Sequence, residues 1–339
     1  ILLCGHGAFG AHLKGGWIQY LYLGPGAANT SKYQIIVRQY LSCNSNAQQR
    51  DTEVYLGIFN GSTNQLLNTF TVPKTGSVNA NKTDYSPCLN TKPPVCYIID
   101  IYSTTIDLPD LPGGVVLTAQ RCCRIVGIEN LSAPSDDYGV SYNTKIPGTI
   151  NSINYANNSS PVFAQKDTVI VCFNSPFILD FSATDADGDD LTYTFCSGLT
   201  GGFNNRSNPS DPQASKPNPP SNPPYTPINY SSGYNGSSPM GNTVNIDPLT
   251  GIISGIAPGT TGDYVIAVCV NEFRKGVLIG STKKEIHVAV ANCSLSAATL
   301  KPSYITCNGT TLSFENQSTS SNITSYLWDF GVPSLTTDT

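Results

Sequence analysis

At 339 residues the chain exceeds what one hydrophobic core usually serves, so two or three domains of about 100 to 150 residues are expected. Only 12% of the residues are charged, and a net charge of −5 without any Lys/Arg cluster excludes the repeated phosphate neutralisation that nucleic-acid binding requires. No stretch approaches the roughly 20 apolar residues of a membrane span, and the 11 cysteines lack paired C-x-x-C knuckles, which points away from zinc and towards an oxidising, extracellular compartment.

Taken in chain order, Ile1 to Cys4 and the following Gly5, Gly7 and Gly10 have the form of a dinucleotide-binding turn. Gly15 and Gly16 would interrupt the required helix, and no acidic residue precedes Asp51 to hold a ribose hydroxyl. Residues 1–10 read instead as the remnant of a secretory signal ending in the small-x-small triplet Ala8-Phe9-Gly10. If Cys4 leaves with it, the remaining cysteines form an even set, Cys43, Cys88, Cys96, Cys122, Cys123, Cys172, Cys196, Cys269, Cys293 and Cys307, all expected in disulfides.

Residues 11–157 form the first expected β-sandwich, with apolar runs at Tyr33 to Tyr40 and Val95 to Ile101. A strand from Val115 to Ile125 would send adjacent Cys122 and Cys123 to opposite faces, each towards its own partner. Cys88 and Cys96 bracket a Pro-rich turn that a local disulfide could close; the alternative is that both reach across the sandwich to Cys43 and one of the adjacent pair. Asp136 and Asp137 read as turn residues, because adjacency does not place two carboxylates across a cleft.

Residues 158–292 form the second expected sandwich, with runs at Val169 to Phe173 and Tyr264 to Val270. It holds the acidic turn Asp185-Ala186-Asp187-Gly188-Asp189-Asp190, a second turn at Asp247-Pro248-Leu249-Thr250-Gly251, and a Pro/Asn/Ser-rich insert over 206–240 expected to project as a loop. Tyr225, Tyr230 and Tyr234 in that insert are either a stacking platform for sugar rings or solvated aromatics. Residues 293–339 carry the strands Thr311 to Phe314 and Ser325 to Gly331, about half of a further domain, with Cys293 and Cys307 expected to pair.

Tyr326-Leu327-Trp328-Asp329-Phe330-Gly331 resembles the signature of polycystic-kidney-disease (PKD) repeats, which are immunoglobulin-like sandwiches. Ala183-Thr184-Asp185-Ala186-Asp187-Gly188-Asp189, followed by Asp247-Pro248-Leu249-Thr250-Gly251-Ile252-Ile253, resembles cadherin-like bacterial domains, although Val270-Asn271-Glu272 stands where that family has an A-x-D. His12-Leu13-Lys14-Gly15-Gly16, the pair Cys122-Cys123 between Arg121 and Arg124, and Val268-Cys269-Val270-Asn271-Glu272-Phe273-Arg274 resemble the N-terminal region of large Bacteroidetes surface proteins. Those are gliding-motility-associated, PKD-repeat proteins exported by the type IX system.

The acidic turn offers hard oxygen ligands that suit calcium, with Asp185, Asp187, Asp189 and Asp247 as the candidate ligands. It is no EF-hand, since the position of the closing Glu is Cys196. Catalysis finds little material: His6, His12 and His287 are the histidines, and His287 alternates with Ile286 and Val288 as a surface or half-buried strand residue would. The expectation is an all-β, disulfide-stapled chain of tandem immunoglobulin-like sandwiches, secreted to the cell surface. It would be a non-catalytic adhesin or filament module whose partners are other surface proteins, its own copies or extracellular glycans. The alternative is a carbohydrate-binding accessory region of a secreted polysaccharide-acting enzyme.

Overall fold

The computed structural model describes residues 12–45, 50–81, 96–164, 169–205, 207–208 and 211–293, with Phe314 and Gln317. The expected signal remnant, Cys88, Cys307, the side chain of Cys96 and the PKD-like motif lie outside the described residues.

The chain is all-β, as its short apolar runs require. Seven long strands come first: β1 (Leu13–Pro25), β2 (Thr30–Ser42), β3 (Glu53–Asn60), β4 (Leu66–Asn81), β5 (Cys96–Pro109), β6 (Val115–Arg121) and β7 (Val140–Ile146). Short strands follow: β8 (Thr149–Ile150), β9 (Ile153–Asn154), β10 (Val162–Phe163), β11 (Ile170–Cys172), β12 (Pro176–Asp180), β13 (Ala183–Thr184) and β14 (Asp190–Cys196). A single helical turn α1 (Pro212–Ser215) precedes β15 (Val244–Ile246), β16 (Ile252–Ile256), β17 (Gly262–Arg274) and β18 (Val277–Ala291).

The main sheet runs β1-β2-β5-β4-β3-β6-β7-β18-β17-β14, and β18 also pairs with β1, so the sheet closes on itself from β1 round to β18. Closure gives β1 a partner on each side, while β14 remains the free end of the sheet among the described residues. Inside the ring, alternate residues such as Ile18, Tyr20, Ile35, Val37, Leu56, Leu117 and Tyr142 form one buried cluster. A second cluster lies between β17, β18 and the smaller sheet β12-β16-β15, and includes Tyr264, Ile266, Val268, Ile286, Val288 and Ile253.

Trp17, Tyr40, Tyr97 and Ile99 belong to the first strands yet pack in the second cluster. Their strands are covered on both faces, which explains why the run from Tyr97 to Ile101 is nearly continuous rather than alternating. Residues on both sides of the expected 157/158 boundary therefore belong to one compact unit, reaching Ala291. Asn292, Cys293, Phe314 and Gln317 belong to a second unit.

The junction of β1 and β18 is specified by glycine. Gly15 has φ +117°, and a Cβ there would run into the backbone carbonyl of Glu285, while one on Gly16 would meet the carbonyl of Arg38. Beside it Arg124, fully buried, donates from Nη2 to Glu285 Oε1 and Oε2 at 2.8 Å each and from Nε to Oε1 at 3.1 Å. The same guanidinium donates to the carbonyls of Gly139 and Leu199. The Cys123 carbonyl accepts from the backbone N–H groups of His12 and Leu13, fixing the start of β1 against the same spot.

Cys122 and Cys123 are bonded to each other, which corrects the expectation of separate partners. The reason is local: β6 ends at Arg121, so the pair stands beyond the strand and the alternation of strand side chains does not govern it. Cys196 on β14 is joined to Cys269 on β17 with Cα atoms 5.9 Å apart, and Cys43, Cys172 and Cys293 are also disulfide-bonded.

The 206–240 insert does not project, and this too is a correction. Its described residues lie along the body, burying Ala214, Pro220, Ile228 and Met240. Gln120 on β6 donates to Ser221 Oγ at 2.7 Å and accepts from Ser221 N at 2.9 Å, while Asn130 donates to Pro239 O and to Val265 O.

Replacing Arg124 by Ala would leave Glu285 buried without its partner and should lower unfolding free energy by about 3 to 5 kcal/mol. Urea titration of the whole chain measures it; a loss below about 1 kcal/mol would mean that this pair does not hold the junction.

Candidate functional site

The acidic turn lies between β13 and β14, which pair with β10 and β17 respectively. Asp185 stabilises the turn itself, its Oδ1 accepting from the backbone N–H of Asp187 at 2.9 Å and of Asp189 at 3.1 Å. Carboxylate oxygens of Asp185, Asp187 and Asp189 consequently come within 4.8 Å of one another. Burial, with the charges of Asp189 and Asp187 beside it, raises the carboxyl of Asp185 above its ordinary value.

Arg274, at the end of β17, supplies the opposing charge. Its Nε and Nη2 each donate to Asp189 at 2.7 Å, a bidentate pair, and Nη2 lies 3.4 Å from Asp187 Oδ2. That guanidinium also donates to Asn158 Oδ1 at 2.5 Å. Asn158, fully buried, passes the contact inward by donating to Glu272 Oε1 at 2.8 Å and to the Tyr20 hydroxyl at 3.1 Å. Ser159 N donates to Asp187 Oδ2 at 2.6 Å. The turn is thus tied to β1 through Asn158 and to β17 through Arg274.

Two acceptors in this group have no hydrogen-bond partner, Asp185 Oδ2 and Glu272 Oε2. Glu272 is 0% exposed, and burial first, then the charges of Asp185, Asp189 and Asp187, push its carboxyl up to about 8. Asp247 is no member of the cluster: its Oδ1 accepts from Leu249 N and Thr250 N, and those donors hold its carboxyl below the ordinary range. For a calcium ion the fit is partial. The orphaned oxygen of Asp185 and the carboxylate of Asp187 are suited to it, whereas both oxygens of Asp189 already face Arg274.

The other residues singled out in the sequence are dispersed. His287 is fully buried rather than at the surface, and burial, then the charges of Lys14 and Arg124, hold it well below its ordinary value. Asp136 and Asp137 occupy a short 3-10 turn. Of the three insert tyrosines, Tyr234 packs edge-on against Tyr264 with centroids 5.8 Å apart, Tyr230 accepts from Gly198 N, and Tyr225 bonds Thr118, so they form no common platform.

Sequence reading missed Arg274 as the counter-charge and Asn158 as the relay. Glu272 and Arg274 stand two apart on β17 and so share a face, which a period-2 reading of Asn271-Glu272-Phe273-Arg274 could have found. Asn158 has no local signal for this role, since the groups that it relays between, Arg274, Glu272 and Tyr20, are distant in the chain. No family model, curated protein or solved structure matches the chain.

Because Glu272 binds its proton more tightly folded than unfolded, its contribution is complete below the ordinary carboxylate range and is lost as pH rises through about 8. His287 acts in the opposite sense, its contribution being lost as pH falls below the ordinary histidine value. Glu272→Gln should therefore flatten the decline in stability between about pH 5 and pH 8 relative to the parent chain, whatever His287 adds to both. Chemical denaturation across that range checks it, and parallel curves for the two proteins would refute the assignment.

Proposed function

We propose that this chain is a non-catalytic extracellular module of a large secreted adhesin or structural filament protein, of the gliding-motility-associated, PKD-repeat kind exported by the type IX system. The observation that carries this reading is how the buried charges are used. Arg124 is committed to Glu285, Asp100 to Arg50 and Lys74, and Arg274 to Asp189, each pair tying together segments far apart in sequence. Such locks suit a protein that must keep its shape under load outside the cell, where disulfides such as Cys196–Cys269 persist. A surface with few charges favours contact with other polar surfaces, proteins or glycans, over steering of ionic substrates.

The test is made on the cells that produce the protein. Antibody raised against the chain should label intact cells, and deletion of the coding segment should reduce attachment or surface spreading without removing a secreted hydrolytic activity. Unchanged attachment, or loss of a hydrolytic activity instead, would overturn the reading.

Calcium belongs to the same proposal, held by Asp185 and Asp187 and tuned by Arg274, an internal cation already at the turn. Calcium should raise the melting temperature of the whole chain, by the equivalent of about 2.7 kcal/mol when it stands at about 100 times its dissociation constant. Asp187→Asn should abolish the gain. Arg274→Gln should start lower in chelator and gain more from calcium, because the competing guanidinium is gone. Equal melting of all three proteins with and without calcium would remove the metal from the account.

A further inference from the structure

The packed insert creates a cleft of about 300 Å³ against the outer side of β6, at the lower end of the roughly 300 to 1,000 Å³ typical of small-molecule sites. Phe203, with 55% of its surface exposed, lines it together with Tyr225. Gln120, Ser221, Gln213 and Thr200 also line it. Tyrosine aside, none of the lining residues ionises.

The polar groups are held in place and retain hydrogen-bonding capacity. Ser221 Oγ accepts from Gln120 Nε2, which leaves its own hydrogen to donate. Gln213 Nε2 spends one hydrogen on Asn218 O and keeps the other, and Thr200 Oγ1 donates to Thr226 O and keeps its lone pairs. Tyr225 is anchored through its hydroxyl to Thr118, and Phe203 through its backbone N–H to Ala214 O at 2.8 Å. The walls are therefore preformed, so a ligand does not have to order them.

We infer that this cleft is a binding site for a neutral saccharide. A sugar ring presents an apolar face of C–H groups suited to an exposed aromatic ring, and an equator of hydroxyls that both donate and accept, matching amide and hydroxyl neighbours. Phosphorylated or carboxylated ligands find no cation in the lining, and a purely apolar ligand would strand the amides and hydroxyls. This goes beyond the placement of any single tyrosine: Phe203, outside the insert, is the ring that the site turns outward. The inference rests on the non-catalytic reading above, because the bound sugar is held and not cleaved.

The experiment is calorimetric titration of the whole chain with neutral hexasaccharides of glucose, xylose, mannose and N-acetylglucosamine, alongside oligogalacturonate as the acidic comparison, with the saccharide recovered and its length analysed. At least one neutral oligomer should bind and be recovered intact. Phe203→Ala should weaken it about tenfold, equivalent to about 1.4 kcal/mol, and Ser221→Ala by less. Ile178→Ala, at an exposed position on another sheet, should leave binding unchanged. Binding with cleavage would keep the site and overturn the non-catalytic reading. No neutral binding up to about 10 mM, preference for the acidic oligomer, or indifference to Phe203→Ala would overturn the site and leave that reading standing.

Discussion

The structure depends on one ion pair placed where water does not reach. Arg124 and Glu285 meet beside the junction of β1 with β18, and desolvating both charges is tolerable only because every direction of the guanidinium is used: two carboxylate oxygens and two backbone carbonyls. The pair works together with the glycines. Without a Cβ at Gly15, β1 can approach Glu285 closely enough for the sheet to close, and the Cys123 carbonyl holds the first residues of β1 at that approach. The motifs at 12–16 and 121–124, separate in sequence, are two sides of a single joint.

The two hydrophobic clusters share strands rather than meeting through a linker. Trp17 donates to the Tyr40 hydroxyl at 3.0 Å and stacks edge-on with Phe163 at 5.2 Å, so a residue of the first strand is part of the interior that β17 and β18 cover. Lys284, itself on β18, lies over the rings of Tyr40, Phe163 and Phe181. A change in the acidic turn thereby has a route to the first strands: Arg274 to Asn158 to Tyr20 is a chain of direct hydrogen bonds.

Much of the architecture was legible. Alternation and turn chemistry gave the strand-rich class and the long strands, and the Asp/Gly pattern located the turn at which three carboxylates gather. What could not be read was pairing between distant segments. The strand ending at Arg121 rather than Ile125 decided the fate of Cys122 and Cys123, and strand ends depend on neighbours that local pattern does not name. The insert looked like a loop because its own composition lacks periodicity; its order comes from Gln120 and Asn130, supplied by other parts of the chain. Phe203 escaped notice because a lone aromatic between Gly202 and Asn204 has nothing periodic to mark it.

The late arrival of β18 has a consequence for biogenesis. The strand that pairs with Gly15 and Gly16 carries Glu285 and Ile286, so the earliest part of the sheet is completed by nearly the last part of the unit. Contacts of such long sequence separation make folding slow, since loop entropy must be spent before the contact forms. During synthesis β1 and β7 present unpaired edges until β18 emerges, and open edges of that kind invite pairing with other chains.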